Sequence, residues 1–221
     1  MTELTAVSVK ATLVNAASET ERAKTLKRMT DDITEVLGVR MATVFAVAKA
    51  HTRMELAEVD RLLDSDIYEL RMVAVSVLDF RARLPKITDE ERAALYELWM
   101  RRLDRIDTWD YIDRSAPRVV GFYLRNRPRD VLFDLARSDN RWHRRAAIVA
   151  AYAIIRAGDI DDPLALCELL AADPERFVQT AVGTALREIG RVNPGQLKDF
   201  LKRRGTDLRA EARRTARSGL E

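Results

Sequence analysis

Between Asp107 and Pro117 the chain reads DTWDYIDRSAP, which crowds aromatic rings and carboxylates into a sequence otherwise built from Leu, Ala, Val and Arg. Trp109 and Asp113 are four residues apart. On a helix opened by Asp107 or Thr108 they share one face, while Asp110 and Tyr111 point elsewhere. A ring beside a carboxylate can hold a cation, the ring contributing about 0.5–2 kcal/mol. The spacing alone leaves a second reading open, in which Trp109 packs in the core and Asp113 pairs with a neighbouring arginine.

A second cluster is SDNRWHRRAAIV, beginning at Ser138, where Trp142 and Arg145 share a helical face and Arg144 lies beside them. A guanidinium fork matches phosphate oxygens, so one of these arginines suits a phosphate clamp. It suits equally an ion pair between repeats, to an aspartate such as Asp113 or Asp139. A third cluster, QLKDFLKRRGTDLRAEARRTAR, carries Lys198, Lys202, Arg203, Arg204, Arg209, Arg213, Arg214 and Arg217. With almost no aromatic residues interleaved, it fits contact with a nucleic-acid backbone better than base stacking. About six such contacts would give a log–log salt slope near −5; a solvated helix face is the alternative.

The elements that position these residues are helical. Of the 221 residues 47% are hydrophobic but only 6% aromatic, Gly is scarce, and the helix formers Ala, Leu, Arg and Glu dominate. LLDSDIYELRMVAVSVL (Leu62 to Leu78), LARSDNRWHRRAAIVAAY (Leu135 to Tyr152) and LLAADPERFVQTAVGTAL (Leu169 to Leu186) share one pattern. Each joins an apolar helix end to a turn with Asp66, Asp139 or Asp173, then places Ala74, Ala147 or Ala181 eight positions on. Each aspartate stands where an N-cap is expected, and each small alanine lets helices approach. The expected fold is all-α: a right-handed α-solenoid of HEAT or armadillo-like repeats with a concave basic groove, in one domain over residues 1–221. A non-repeating helical bundle would show similar periodicity.

Composition narrows the function classes. The net charge of +3 and a pI near 9.1 make partners carrying negative charge plausible. Cys167 is the single cysteine, in the apolar run PLALCELLA, and reads as a buried small hydrophobe. His51 and His143 are the only histidines and lie far apart, so no metal site or cofactor is expected. Glycine-rich phosphate loops are absent, which disfavours the familiar nucleotide-dependent classes. The N-terminus lacks a signal-peptide pattern, and no apolar run approaches about 18 residues. A cytoplasmic monomer is expected.

WDYID (Trp109 to Asp113), WHRRAAI (Trp142 to Ile148) and QTAVGTALREIGRVNP (Gln179 to Pro194), in this order and spacing, resemble the bacterial AlkD-type DNA alkylation repair family. The resemblance runs from ITEVLGVR, beginning at Ile33, to the C-terminal basic segment. It implies a HEAT-like solenoid that excises alkylated purines, with Trp109, Asp113 and Arg145 in the active site and double-stranded DNA carrying alkylated bases as the partner. With DNA as the partner, the basic residues Arg144, Lys202, Arg203, Arg204, Arg209, Arg213 and Arg214 are expected to contact its backbone. Two positions depart from the pattern: Thr184 stands where the family's glycosylases have a second Trp, and Arg28 or Met29 where an aromatic Tyr is expected.

A purine alkylated at ring position 3 or 7 is already cationic and a good leaving group. One carboxylate therefore suffices to stabilise the sugar cation and orient water, without a general acid. The expected function is a DNA glycosylase for lesions of the 3-methyladenine and 7-methylguanine type. The intact Trp109, Asp113 and Arg145 favour it. The altered Thr184 and Met29 favour a non-catalytic protein that binds damaged or branched DNA, and a protein-binding scaffold is a third reading.

Overall fold

The computed structural model describes residues 4–29 and 35–221; Ile33 and Thr34, where the ITEVLGVR segment begins, lie outside the described residues. As the composition predicts, the described residues form helices, and their one β contact is an isolated parallel bridge between Glu35 and Ile67. None of these helices is long and apolar enough to cross a membrane. Cα packing separates two units, Met1–Ser115 and Ala116–Glu221.

The first unit contains α1 (Ala6–Asn15), α2 (Glu19–Arg28), α3 (Met41–Ala50), α4 (Leu56–Leu63), α5 (Tyr68–Ala82) and α6 (Asp89–Arg101). A 3-10 turn (Leu103–Arg105) and α7 (Trp109–Ala116) follow. α6 opens with a capping box: the Thr88 hydroxyl accepts from the Glu91 N–H, and the Glu91 carboxylate accepts from the Thr88 N–H. Asp89, Glu90 and Glu91 then face the positive end of the helix dipole.

α5 is the centre of this unit, packing against α1, α3, α4 and α6. It is buried on every side from Tyr68 to Asp79, and the buried residues include Glu69, Arg71, Ser76 and Asp79. A helix enclosed all round can carry charges only where each is matched, because an unpaired buried charge costs several kcal/mol. Glu69 is matched by backbone: its carboxylate accepts from the N–H groups of Leu37, Gly38 and Val39 at 2.9, 2.8 and 3.2 Å. Gly38 makes that cradle possible. Its φ of +85° disfavours a side chain, and a Cβ there would lie 2.4 Å from the Ser18 carbonyl oxygen.

The second unit opens on a π-helical turn (Pro117–Gly121) that begins at a residue with no N–H to continue an α ladder. There follow α8 (Phe122–Leu124), α9 (Asp130–Ala136), α10 (Arg141–Ile155), α11 (Asp161–Leu170), α12 (Arg176–Val192), α13 (Pro194–Arg204) and α14 (Ala210–Arg217). α9/α10, α11/α12 and α13/α14 are successive packed pairs or neighbours in the chain, and the turn aspartates Asp139, Asp173 and Asp207 precede the second helix of each at 34-residue intervals. α10 packs on α12 and α12 on α14, forming one layer. α9 contacts α11, and Arg203 and Arg204 of α13 bridge to Glu168 of α11, forming the other. Cys167 is buried within α11 as expected, and burial pushes its thiol pKa up, keeping it protonated.

The aspartates do not cap as the sequence predicts. Asn140 is the N-cap of α10, accepting from the Trp142 N–H at 2.8 Å, with Asp139 one residue earlier. Asp173 lies two residues before Glu175, the N-cap of α12, and its carboxylate accepts from the Glu175 N–H and pairs with Arg144. Asp66 precedes Ile67, the N-cap of α5, and binds Arg105. For the nearly buried Asp173 the reason is energetic: charge-assisted bonds to a guanidinium are roughly twice as strong as a neutral bond.

Ala74, Ala147 and Ala181 are buried as expected, but Gly183 marks the closer contact between α12 and α14. A Cβ there would lie 2.7 Å from the Ala212 carbonyl oxygen and 2.8 Å from its Cα. Replacing a mid-helix glycine adds about 1 kcal/mol of helix propensity, whereas forcing packed backbones apart costs about 1–3 kcal/mol. Gly183→Ala is therefore expected to lower the urea midpoint with an unchanged slope; a higher midpoint would show that the contact yields.

Candidate functional site

α7 is held by polar groups of α5 at both ends. At its entry Arg71, 2% exposed, sets Nη1 2.7 Å from Asp107 Oδ1 and donates to the Arg105 carbonyl at 3.2 Å. The Tyr68 hydroxyl donates to Asp110 Oδ2 at 2.5 Å, and the Tyr111 hydroxyl donates to the Tyr68 carbonyl at 2.9 Å. The two rings stack with centroids 5.3 Å apart. Asp110 Oδ1 also accepts from the Thr108 hydroxyl and from the Tyr111 N–H. Burial holds both phenols far above their ordinary pKa, and at Tyr68 the Asp110 charge adds to it. Both hydroxyls therefore stay protonated and act as donors throughout the neutral range.

One turn further on, Arg114 donates from Nε to Ser76 Oγ at 3.1 Å and places Nη2 3.1 Å from Asp79 Oδ2. Its guanidinium lies 4.6 Å from the Phe45 ring centroid and 4.7 Å from that of Phe80. Asp79 is fully buried and pairs with Arg83 as well. A buried carboxylate with two cations is thus fixed to the middle of α7.

These contacts sort the residues of DTWDYID. Asp107 binds Arg71 and the Thr108 hydroxyl donates to Asp110. Asp110 and Tyr111 are structural. Trp109 is half-buried and Asp113 is exposed, four residues apart on one helix. Tyr68, Arg71 and Arg114, which hold that face in place, escape sequence reasoning because the partners of Tyr68 and Arg71 lie some forty residues along the chain. Near the position where a tyrosine is expected, Arg28 Nη2 donates to the Tyr68 hydroxyl at 3.4 Å, and Met29 is half-buried.

In the second unit Arg145 is 6% exposed, donates from Nη1 to the Phe177 carbonyl and lies 3.4 Å from Thr180 Oγ1. Arg144 makes the inter-repeat ion pair, and its partner is Asp173: Nε–Oδ2 is 2.6 Å and Nη2–Oδ1 3.3 Å. Its Nη1 donates to the Ser138 and Asp139 carbonyls. Trp142 is 5% exposed, its ring 5.4 Å from Phe177 and covered by Arg141 at 4.8 Å. Phe177, Thr180 and Thr184 follow one stripe of α12, and the Thr184 hydroxyl turns back to the Thr180 carbonyl at 3.1 Å. Phe177, half-buried, is the aromatic residue of that stripe; in the sequence it is one apolar residue among many.

The C-terminal basic segment is two helices, not one. Lys202, Arg203 and Arg204 end α13, whereas Arg209 is the N-cap of α14, which carries Arg213 and Arg214. They therefore divide between the two layers of the unit. Arg203 pairs with Glu168, and Arg204 with Glu168 and Asp207. Arg209 donates to the Pro174 carbonyl and Arg213 to the Gly205 carbonyl, while Lys202 and Arg214 are exposed. Among the described residues no group of three or more His, Cys, Asp or Glu is placed to hold a metal ion.

A profile of the family described as DNA alkylation repair enzyme matches residues 9–220. The chain belongs to this family. A solved structure described as a predicted DNA alkylation repair enzyme from Enterococcus faecalis superposes with a TM-score of 0.69, covering 92% of this chain and 96% of that one. At 18% sequence identity this likeness is one of fold. No curated protein matches the chain. Membership of the DNA alkylation repair family implies DNA as the partner and supports a role in DNA repair.

The contacts of α5 predict a stability effect at the edge of the site. Asp107→Ala leaves the buried Arg71 guanidinium without its carboxylate and should cost on the order of 3–5 kcal/mol in urea unfolding. A loss below about 1 kcal/mol would show that the pair does not anchor α7.

Proposed function

We propose that this DNA alkylation repair protein is a glycosylase that releases cationic purines of the 3-methyladenine and 7-methylguanine type from duplex DNA. Residues 1–221 act as one DNA-binding domain, as a monomer and without a cofactor. The observation that carries the reading is that Trp109 and Asp113 fall four residues apart on α7, a helix held to α5 through Asp107, Asp110 and Arg114.

The chemistry follows from the charge of the substrate. As the N-glycosidic bond breaks, the bonding electrons move to the purine, which leaves neutral, and positive charge develops on the deoxyribose. The Asp113 carboxylate stabilises that cation and orients the water that adds to the sugar carbon. Trp109 packs against the sugar or the cationic edge of the base, and Arg145 holds a backbone phosphate. Lys202, Arg209, Arg213 and Arg214 make further backbone contacts, with Arg203 and Arg204 shared between DNA and their carboxylates. Arg144 contributes by holding the start of α10. Five contacts, those of Arg145, Lys202, Arg209, Arg213 and Arg214, give a log–log salt slope of about −4.5.

One observation favours the second reading, a protein that binds damaged or branched DNA without cleaving it. The Thr184 hydroxyl is turned onto its own helix, and the buried Tyr111 and Trp142 present no open ring in compensation. Incubation with a duplex containing 7-methylguanine separates the two. The glycosylase reading expects release of free base by the wild type and a loss of about 10²–10³-fold in Asp113→Asn. Equal background release by both proteins, with retained DNA binding, would move the assignment to the binding role.

A further inference from the structure

We infer that the second unit carries a phosphate-binding pocket between the segment Pro117–Arg125 and the C-terminal end of α10. A cavity of about 320 Å³ is lined there by Arg118, Arg125 and Arg156, with Phe122, Pro117, Ala153 and Ala157 as the apolar remainder. None of its lining residues carries a carboxylate. The larger cavity of about 520 Å³ in the first unit is different, since Glu91 stands among its cations Arg53, Arg81 and Lys86.

The local charge is unbalanced for an identifiable reason. Asp159 and Asp162, the carboxylates that follow α10, both pair with Arg129 Nη1, at 2.6 and 2.9 Å. Arg125 and Arg156 are exposed and form no ion pair with the described residues. The Arg125 guanidinium lies 6.0 Å from the Phe122 ring centroid, which leaves its edge open to a ligand. Arg156 is the C-cap of α10, and a helix C-terminus carries only about half a negative charge. The guanidinium groups of Arg125 and Arg156 exceed it, so an anion of matching geometry stabilises the arrangement. Planar guanidinium forks match the oxygens of a phosphate group.

Within the second unit the pocket lies apart from Arg145. Arg156 lies eleven residues beyond Arg145 on α10, roughly 16 Å along the helix. It does not depend on the glycosylase reading. The phosphate belongs either to a nucleic-acid backbone or to a free anion, and the two sources give different results.

The test follows the arginine Nε–H signals of the intact protein by NMR during titration with inorganic phosphate, and the salt dependence of its binding to undamaged duplex DNA. Saturable shifts at Arg125 and Arg156 are expected, with at least a tenfold weaker phosphate affinity in Arg125→Gln/Arg156→Gln. If the occupant is a DNA backbone phosphate, the variant also has a log–log salt slope shallower by about 1. If it is a free anion, the slope is unchanged while phosphate affinity is lost. The inference is overturned if phosphate produces no saturable shift at these residues. It is equally overturned if the charge-matched variant Lys27→Gln/Lys49→Gln loses as much phosphate affinity. Thermal melting of both variants excludes a folding defect as the cause.

Discussion

A buried charge must have its partner, and in the first unit this requirement decides where the candidate site lies. α5 is enclosed on all sides yet carries Glu69, Arg71 and Asp79. Removing one member of such a pair costs several kcal/mol, more than most single packing contacts supply. Glu69 draws in the backbone of Leu37–Val39, Arg71 draws in Asp107, and Asp79 draws in Arg114. The last two flank the turn that bears Trp109 and Asp113. That face is therefore fixed from both ends by a helix that does not itself belong to it.

The second unit uses the same device. Arg144 follows Asp139 by five residues, as Arg71 follows Asp66, and each reaches the aspartate of a later turn, Asp173 and Asp107. The residue one further on has another role: Arg145 follows Asp139 by six, and Asp113 follows Asp107 by six. Adjacent arginines in WHRRAAI thus divide into an anchor and a candidate site residue. The register, rather than residue type, separates them.

Much of this was legible in the residues. Ala- and Leu-rich periodicity with few aromatics indicates helices, and the 34-residue interval recurs as Asp139, Asp173 and Asp207 in successive turns. The four-residue spacing of Trp109 and Asp113 survives because both fall on α7. What failed did so for a common reason: a local rule lost to a partner distant in sequence. Asp173 belongs to Arg144 before it can act as a simple cap. The C-terminal basic run is broken between Arg204 and Ala210, and its cations fall on different layers. Phe177 gave no local signal at all; only the α12 stripe it shares with Thr184 singles it out.

Buried polar groups of α5 set the position of α7, and native-state hydrogen exchange in Tyr68→Phe tests this most directly. The variant keeps the ring that stacks on Tyr111 and deletes the donor to Asp110, together with the weaker acceptor for Arg28. A bond to a charged acceptor contributes about 1.5–3 kcal/mol, so amides in α7, including the Ile112 N–H bonded to the Thr108 carbonyl, should exchange at least tenfold faster. Amides of α3 and α12 should keep their protection. Unchanged exchange in α7, or an equal loss across all three helices, would contradict the claim.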